Sequence, residues 1–85
     1  MCGQAFRPTG TPMRSLEQIR LFDDELEAIR LCDLEGLTQQ EAGERMGVSR
    51  GTVQRLVKQA RGKVAQALVH GAALVFASRS DPDNQ

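Results

Sequence analysis

The chain has 85 residues, a formal net charge of zero and no Trp or Tyr. This length builds one small domain, and an aromatic content of 4% argues against a platform that stacks single-stranded nucleic acid. The sequence shows neither a signal peptide nor an apolar run long enough to span a bilayer, so we expect a cytoplasmic protein without membrane contact.

Charge is divided unevenly along the chain. Residues 15–44 hold nine acidic and two basic side chains, a net charge of −7, whereas residues 45–80 hold seven basic side chains and no acidic one, a net charge of +7. A basic half attracts phosphate, because each neutralised phosphate releases counterions. The acidic half is expected to point away from nucleic acid or to meet another protein.

The first 22 residues are expected to be extended. Residues 1–15 are rich in Gly, Pro and Thr, which predicts an N-terminal arm that is either anchored to the body through Phe6 or free. Residues 16–22 have moderate strand propensity, and their apolar side chains must pack against another element.

The segment from Asp24 to about Leu34 predicts an amphipathic helix. Asp24 and Glu27 stand three residues apart, which is the spacing of a capping signature, and apolar residues recur every three to four positions. The acidic first turn complements the positive end of the helix dipole. That is a sufficient reason for these carboxylates, so we assign none of them to a metal or catalytic site. Gly36 is expected to end the helix.

Residues 37–58 predict two short helices joined by a tight turn. Thr38 and Glu41 form the S/T-x-x-E capping box that starts a helix. This helix is expected to run from Gln39 to about Met46. It is the first half of the strongest functional pattern in the chain.

The turn between these helices has the composition of a helix-turn-helix. Gly47 can take the positive φ of a helix C-cap, Ser49 can cap the next helix, and Gly43 is small where two helices must cross closely. The sequence therefore predicts a helix-turn-helix with the second helix as the recognition helix. The alternative is an ordinary helical hairpin that binds no DNA.

The outward positions of the second helix favour double-stranded DNA over that alternative, because they carry hydrogen-bond donors and no acidic side chain. The predicted DNA-binding residues are Gln39, Ser49, Arg50, Thr52, Gln54, Arg55, Lys58 and Arg61. Ser49 and Thr52, with the first amides of the helix, are expected to hold a phosphate. Arg50, Gln54 and Arg55 are the candidates for base edges. The other three are expected to contact the flanking backbone.

An apolar stripe continues the recognition helix to about His70, and Gly71 is expected to cap it. Residues 72–77 predict either a strand or a last helical turn. As a strand they would pair with residues 17–22, within one chain or between two. Residues 78–85 are polar and are expected to be disordered.

One such domain contacts little DNA, so we expect a homodimer that binds two half-sites about one helical turn apart. Its interface is expected along Ala60 to Leu68 and Ala72 to Phe76. A rival function is a protein–protein module that binds a transcription component through the acidic helix at residues 23–35. Salt dependence of binding separates the two functions.

Enzymatic activity is not expected. The sequence has no nucleotide-binding loop and no nucleophile–base pair. Cys2, Cys32 and His70 lack the spacing of metal ligands, and Cys32 is expected to be a small buried thiol. We therefore predict no cofactor and no metal, and no small-molecule ligand is evident.

Several strings resemble a small prokaryotic family of uncharacterised proteins that are predicted to bind DNA. They are FRPTG near the start, DELEAIRL, MGVSR and AR-x-KVA-x-ALV-x-G. The resemblance covers roughly residues 6–75. It implies a role in transcription control and a helix-turn-helix similar to region 4 of sigma-70-type factors, with the recognition helix opening at Ser49. Relatives usually have two adjacent alanines where this chain has Ala42 and Gly43, so we expect a close helix contact but a weaker helix.

The expected fold class is therefore all-α. Residues 16–77 would form the helix-turn-helix domain, with a long C-terminal recognition helix. At most, the segments that flank the helices would add a short two-stranded β element.

Overall fold

The computed structural model describes residues 5–10, 12 and 16–79. In chain order these residues form β1 (Ala5–Phe6), β2 (Gln18–Phe22), α1 (Asp23–Ile29), α2 (Gln39–Met46), α3 (Arg50–His70) and β3 (Ala73–Ala77). A π-helical segment, Arg30–Leu34, continues α1. The remaining parts of the predicted arm and tail lie outside the described residues.

The three strands form one mixed sheet in the order β1-β3-β2, with β3 at its centre. β2 runs parallel to β3, with Ile19 opposite Leu74. β1 runs antiparallel to β3 on its other side, with Phe6 opposite the same Leu74. Two adjacent parallel strands need a long crossover connection, and α1, α2 and α3 together supply it. The helical part is thus fixed at both ends on one sheet.

The prediction of an all-α fold is wrong, because the described residues combine three α-helices with a three-stranded sheet. The strand at Gln18–Phe22 is confirmed. Of the alternatives left open for residues 72–77, the structure has the strand, and it pairs with β2 within one chain. The sequence did not predict β1, because two residues carry no periodic pattern. Backbone pairing anchors this part of the arm, whereas the side chain of Phe6 stays 68% exposed.

The hydrophobic core has two parts, and α3 contributes to both. One part joins the sheet to the second half of α3 and consists of Ile19, Leu21, Ala60, Ala67, Ala72 and Leu74. The other joins α1, α2 and the first half of α3 and consists of Ala28, Leu31, Ala42, Val53, Leu56 and Val57. Part of the predicted dimer interface, namely Ala60, Ala67 and residues 72–74, is buried within the protomer.

The start of α1 differs from the predicted cap. Glu25, not the Asp24–Glu27 pair, caps the helix, because its Oε1 accepts a hydrogen bond from the Phe22 backbone amide at 2.9 Å. Glu27 instead binds Arg30. The last turn widens to a π-helix, which the apolar spacing did not indicate. Gly36, with a φ of +78°, follows the end of this helix, close to where the sequence placed its cap.

The helix pair α2–α3 has the boundaries that the sequence predicted. Thr38 Oγ1 accepts from the Glu41 amide at 3.1 Å, and Glu41 Oε1 accepts from the Thr38 amide at 2.9 Å. Gly47 takes a φ of +74°, and Ser49 caps α3. α3 runs without a break through Gly62.

Gly43 lies where the α2–α3 turn passes closest to α2. The Val48 amide donates to the Gly43 carbonyl oxygen at 2.9 Å, and a Cβ added at Gly43 would lie only 2.7 Å from the Val48 carbonyl oxygen. Glycine thus permits the close contact that the sequence predicted. The helix-weakening effect of glycine is offset here by the absence of this clash.

We expect opposite effects from two Gly→Ala substitutions. Gly43→Ala should lower the free energy of unfolding by about 1–3 kcal/mol, because the turn must move away from the new methyl group. Gly62→Ala is the matched control, since nothing lies within 4 Å of its added Cβ. It should raise the free energy of unfolding by up to ~1 kcal/mol through helix propensity. Urea unfolding followed by circular dichroism measures both, and stabilisation by Gly43→Ala would contradict the close contact.

Candidate nucleic-acid interface

The first half of α3 presents a polar, basic face. Its apolar residues face the core, so Gln54, Arg55 and Lys58 fall on the exposed side of the helix, and Arg50 is exposed at its first position. Ser49 is also exposed, and Thr52 is half-buried in the first turn. Six of the eight predicted DNA-binding residues therefore lie within three turns of one helix end.

A chain of hydrogen bonds orders the side chains at this end. Ser49 Oγ accepts from the Thr52 amide at 3.1 Å and lies 3.0 Å from Thr52 Oγ1. Arg55 Nη2 donates to Thr52 Oγ1 at 3.1 Å. The guanidinium of Arg55 is therefore held beside the helix N-terminus, and Thr52 acts on Arg55 as well as on the cap.

The backbone at this end also offers donors. The first intrahelical hydrogen bond runs from the Val53 amide to the Ser49 carbonyl at 3.1 Å. The amides of Arg50 and Gly51 precede it and lie at the positive end of the dipole of a 21-residue helix. Together with Arg50 and Arg55, they make this end of α3 suited to an anion.

Arg61 occupies a different environment from the other predicted residues. Its Nη2 and Nε atoms bind the two carboxylate oxygens of Asp33 at 2.6 Å and 3.0 Å. This pair joins α3 to the π-helical segment. Arg61 is thus engaged within the chain, although its side chain is 61% exposed. Gln39 lies apart as well, half-buried at the first position of α2.

The acidic first half neutralises part of the basic second half. Asp24 binds Arg79 at 2.8 Å, Glu25 binds Lys63 at 2.7 Å, and Asp33 binds Arg61. Across residues 5–10, 12 and 16–79, no ion pair within 4.0 Å involves the basic groups of the first half of α3, which are Arg50, Arg55 and Lys58. Arg20 on β2 and Arg45 on α2 are also in no such pair, but the start of α3 is where three uncompensated basic groups lie on one helix.

Glu25 is a buried acidic residue whose carboxylate binds groups of the same chain. Its carboxylate is buried and binds both the Phe22 amide and Lys63 Nζ. Lys63 and Arg79 lie over the Phe22 ring, at 4.6 Å and 4.3 Å from its centroid. Arg79, which the sequence assigned to a disordered tail, thus contacts β2, and its ion pair with Asp24 connects it to α1. No local sequence signal links Lys63 or Arg79 to this site, because Lys63 is 38 positions from Glu25 and Arg79 is 57 positions from Phe22.

The structure also shows the surroundings of Cys32, which the sequence predicted to be a small buried thiol. Cys32 is half-buried against the core, and this burial raises the pKa of its thiol. In the part of the chain that the structure describes, His, Cys, Asp and Glu side chains form no group of three or more suited to a metal ion. The helices there are too short or too polar to cross a membrane.

The carboxyl groups of Asp33 and Glu41 make the free energy of unfolding depend on pH in the acidic range. The Arg61 guanidinium lowers the pKa of Asp33, and the hydrogen bond from the Thr38 backbone amide lowers the pKa of Glu41. A carboxyl group with a lowered native pKa stabilises the fold above its ordinary pKa, and this contribution is lost as the pH falls through the native value. We expect the free energy of unfolding to fall as the pH decreases below 4.5, the ordinary pKa of Glu.

Urea unfolding at a series of pH values between 7 and about 2.5 tests this expectation. Asp33→Asn should flatten the acid limb, because the substituted side chain no longer titrates. The effect of each group is small, since both are solvent-exposed. An acid limb that is unchanged in Asp33→Asn would mean that the Arg61–Asp33 pair does not contribute.

Comparison with known proteins assigns the chain to a family. Residues 3–80 match the family described as "Protein of unknown function DUF134". A UPF0251 protein of Vibrio parahaemolyticus is 54% identical, over 89% of this chain and 83% of that protein. A UPF0251 protein of Aeromonas salmonicida is 51% identical, over 98% and 84% respectively.

Some relatives are longer. A UPF0251 protein of Desulforudis audaxviator is 55% identical over 81% of this chain, but the match covers only 45% of that protein. No solved structure matches the chain. The chain thus belongs to the DUF134, or UPF0251, family of uncharacterised proteins, which is widespread in bacteria.

Proposed function

We propose that this protein binds double-stranded DNA sequence-specifically, through α2 and α3 as a helix-turn-helix, and acts in transcription control. The observation that carries the proposal is the uncompensated positive charge of Arg50, Arg55 and Lys58 on the exposed side of α3. Arg61, Lys63 and Arg79, further along the chain, are bound by acidic residues instead, so the basic face is confined to the first half of α3.

The dimensions of this face fit a major groove. Arg50 to Lys58 span about 12 Å along the helix axis, and the major groove of B-DNA is about 12 Å wide. In the proposed mode, the start of α3 enters the groove. Arg50, Gln54 and Arg55 contact base edges, because Arg can bind guanine and Gln can bind adenine with two hydrogen bonds each.

The backbone of the DNA would be held at the ends of this face. The amides of Arg50 and Gly51, with Ser49, would bind one phosphate at the positive end of the helix dipole. Lys58 would bind a phosphate about two turns further along α3. Thr52 would contribute indirectly, because its hydroxyl already accepts a hydrogen bond from Arg55.

Arg61 is expected to contribute less to DNA binding than Lys58. Both are cationic and lie three residues apart on α3, but Arg61 must leave Asp33 before it reaches a phosphate. Breaking the Arg61–Asp33 ion pair costs free energy, which reduces what Arg61 adds to the free energy of DNA binding. Lys58 and Arg61 therefore form a matched pair for testing the proposal.

The rival function, a protein–protein module that uses the acidic helix, receives less support. Asp24, Glu25 and Asp33 bind basic side chains of the same chain. A partner that recognised these carboxylates would first have to break those ion pairs. If the protein acts on the bacterial chromosome, as we propose, its compartment is the cytoplasm.

Selection from a randomised duplex pool at two salt concentrations tests DNA binding directly. We expect an enriched sequence motif and an affinity that falls steeply with salt. Absence of binding at low salt would overturn the proposal and leave the protein-interaction function. Salt-dependent binding without enrichment would overturn its sequence specificity.

Substitutions then separate the proposed roles. On the selected site, Arg55→Ala should cost about 1–3 kcal/mol of binding free energy and relax the preference at one base pair. Lys58→Ala should weaken binding to all duplexes alike and reduce the slope of log K against log salt by about 1. Arg61→Ala should change that slope less than Lys58→Ala does. Identical profiles for Arg55→Ala and Lys58→Ala would show that the assignment of base and phosphate contacts is wrong.

A further inference from the structure

Gly62 lies in the middle of α3 and is exposed to solvent. Glycine weakens the interior of a helix relative to alanine, so its presence there needs a reason. α3 runs without a break from Arg50 to His70, so Gly62 does not serve a bend. It does not have a positive φ, and among the described residues nothing lies within 4 Å of a Cβ added to it. Folding and packing of the described chain therefore do not require a glycine at this position.

The side of α3 on which Gly62 lies is the side of the basic face. Arg55, Lys58 and Gly62 follow one another at intervals of three and four residues, which places them in one row along the helix. An open hollow of about 560 Å³ lies over Gly62, and none of its lining residues is acidic. The lining residues are Arg55, Lys58, Gln59, Gly62, Lys63 and Gln66. The absent side chain thus leaves room on the basic face for a negatively charged group.

The position of Gly62 along α3 matches the edge of a major groove. Gly62 follows Arg50 by 12 residues, which is about 18 Å along the helix axis. The major groove of B-DNA is about 12 Å wide. When the start of α3 crosses the groove, as in the proposed mode, the turn that contains Gly62 lies beyond the groove and over the flanking sugar–phosphate strand. A side chain at this position would hold the strand away from the helix, whereas glycine allows close approach to the helix backbone.

We propose that a sugar–phosphate strand of the duplex crosses α3 at Gly62 and is held there by Lys58 and Gln59. This inference rests on the proposed function and adds to it a second strand contact. The phosphate at the N-terminus of α3 and the strand at Gly62 would lie on opposite edges of the same groove. The two contacts together would fix how deeply the helix enters it.

The side chains of Lys58 and Gln59 are available to hold this strand. Both are exposed, and in the described part of the chain neither side chain takes part in a hydrogen bond or an ion pair. Lys63 is not available in the same way, because its Nζ binds the buried carboxylate of Glu25 at 2.7 Å. The donors for the strand therefore lie on the side of Gly62 that is nearer to the groove.

The carboxylate of Glu17 limits the crossing on the other side. Gln66, one turn after Gly62, donates from Nε2 to Glu17 Oε2 at 3.0 Å. The Glu17 side chain is 49% exposed, so its negative charge repels an approaching phosphate. The strand is therefore expected to cross α3 before Gln66, which leaves Gly62 as the position of closest approach.

Fluorescence anisotropy with the selected duplex tests the proposal. Gly62→Ala should raise the Kd about 5- to 10-fold, and Gly62→Leu at least ~30-fold, because each added group moves the strand away from Lys58 and Gln59. Urea unfolding and circular dichroism check the fold. Gly62→Ala should be at least as stable as the wild type, so its weaker binding would not result from unfolding. It carries the test alone if Gly62→Leu is not folded.

Ala65→Leu is the matched control for added bulk on α3. Ala65 lies three residues after Gly62 but on another side of the helix, where it lines an apolar groove with Leu26 and Leu68 and not the hollow over Gly62. This variant should keep the Kd within about 2-fold of the wild-type value.

A second measurement ties the effect to one strand. Phosphates of the selected duplex are replaced one at a time by uncharged methylphosphonates. The wild-type protein should lose affinity at the phosphates that Lys58 binds, and Lys58→Ala should not. Gly62→Leu should lose its sensitivity at the same phosphates as Lys58→Ala, because the displaced strand no longer reaches Lys58.

Two results would overturn this inference and leave the proposed function intact. One is a folded Gly62→Leu variant that binds the duplex as tightly as the wild type. The other is weaker binding with an unchanged methylphosphonate profile, because the added side chain would then act away from the strand. In both cases wild-type binding that Arg55→Ala weakens would still support the proposed function. A wild-type protein without affinity for any duplex would overturn the proposed function, and this inference with it.

Discussion

The structure depends on the continuity of α3. Its first half buries Val53, Leu56 and Val57 against α1 and α2, and its second half buries Ala60 and Ala67 against the sheet. Because a helix is stiff over 21 residues, these two parts of the core hold each other in position. Neither part is large enough to fold a domain of this size alone. The same rigidity fixes the distance between the basic end of α3 and Gly62.

The ion pairs add a second level of organisation. Acidic residues of α1 and its π-helical extension bind Lys63, Arg61 and Arg79, so they connect α1 to the second half of α3 and to the segment after β3. The Arg61–Asp33 and Arg79–Asp24 pairs are largely exposed and stabilise the fold little, whereas the carboxylate of Glu25 is buried. The larger consequence of these ion pairs is electrostatic: in the described part of the basic second half they pair Arg61, Lys63 and Arg79, and leave Arg50, Arg55 and Lys58 at the start of α3, with Arg45 on α2, outside any ion pair. A chain with zero net charge can thereby present a locally basic helix end.

Sequence and structure agree best where the signal is local. The capping box at Thr38 and the caps at Gly47 and Ser49 fix the bounds of α2 and α3, because each needs only residues within one turn. The expected all-α class failed because the sequence left residues 72–77 open between strand and helix and gave no signal for β1, so the three-stranded sheet was not predicted. The expected Asp24 cap failed because Glu25 instead accepts from the Phe22 amide, three residues earlier; Glu25 also binds Lys63, 38 positions away, which no local pattern records.

The sequence by itself determined the boundaries of α2 and α3, the order of the helices and the outward-facing set at the start of α3, since periodicity and capping act over three to four residues. Only the tertiary structure decided which of the cations are neutralised, as the divergence of Arg61 from Lys58 illustrates. It also decided which apolar residues remain exposed: Ala60 and Ala67 are buried, whereas Leu68 is not. Charge compensation and burial depend on neighbours that the fold brings together from distant positions, and a local pattern does not record them.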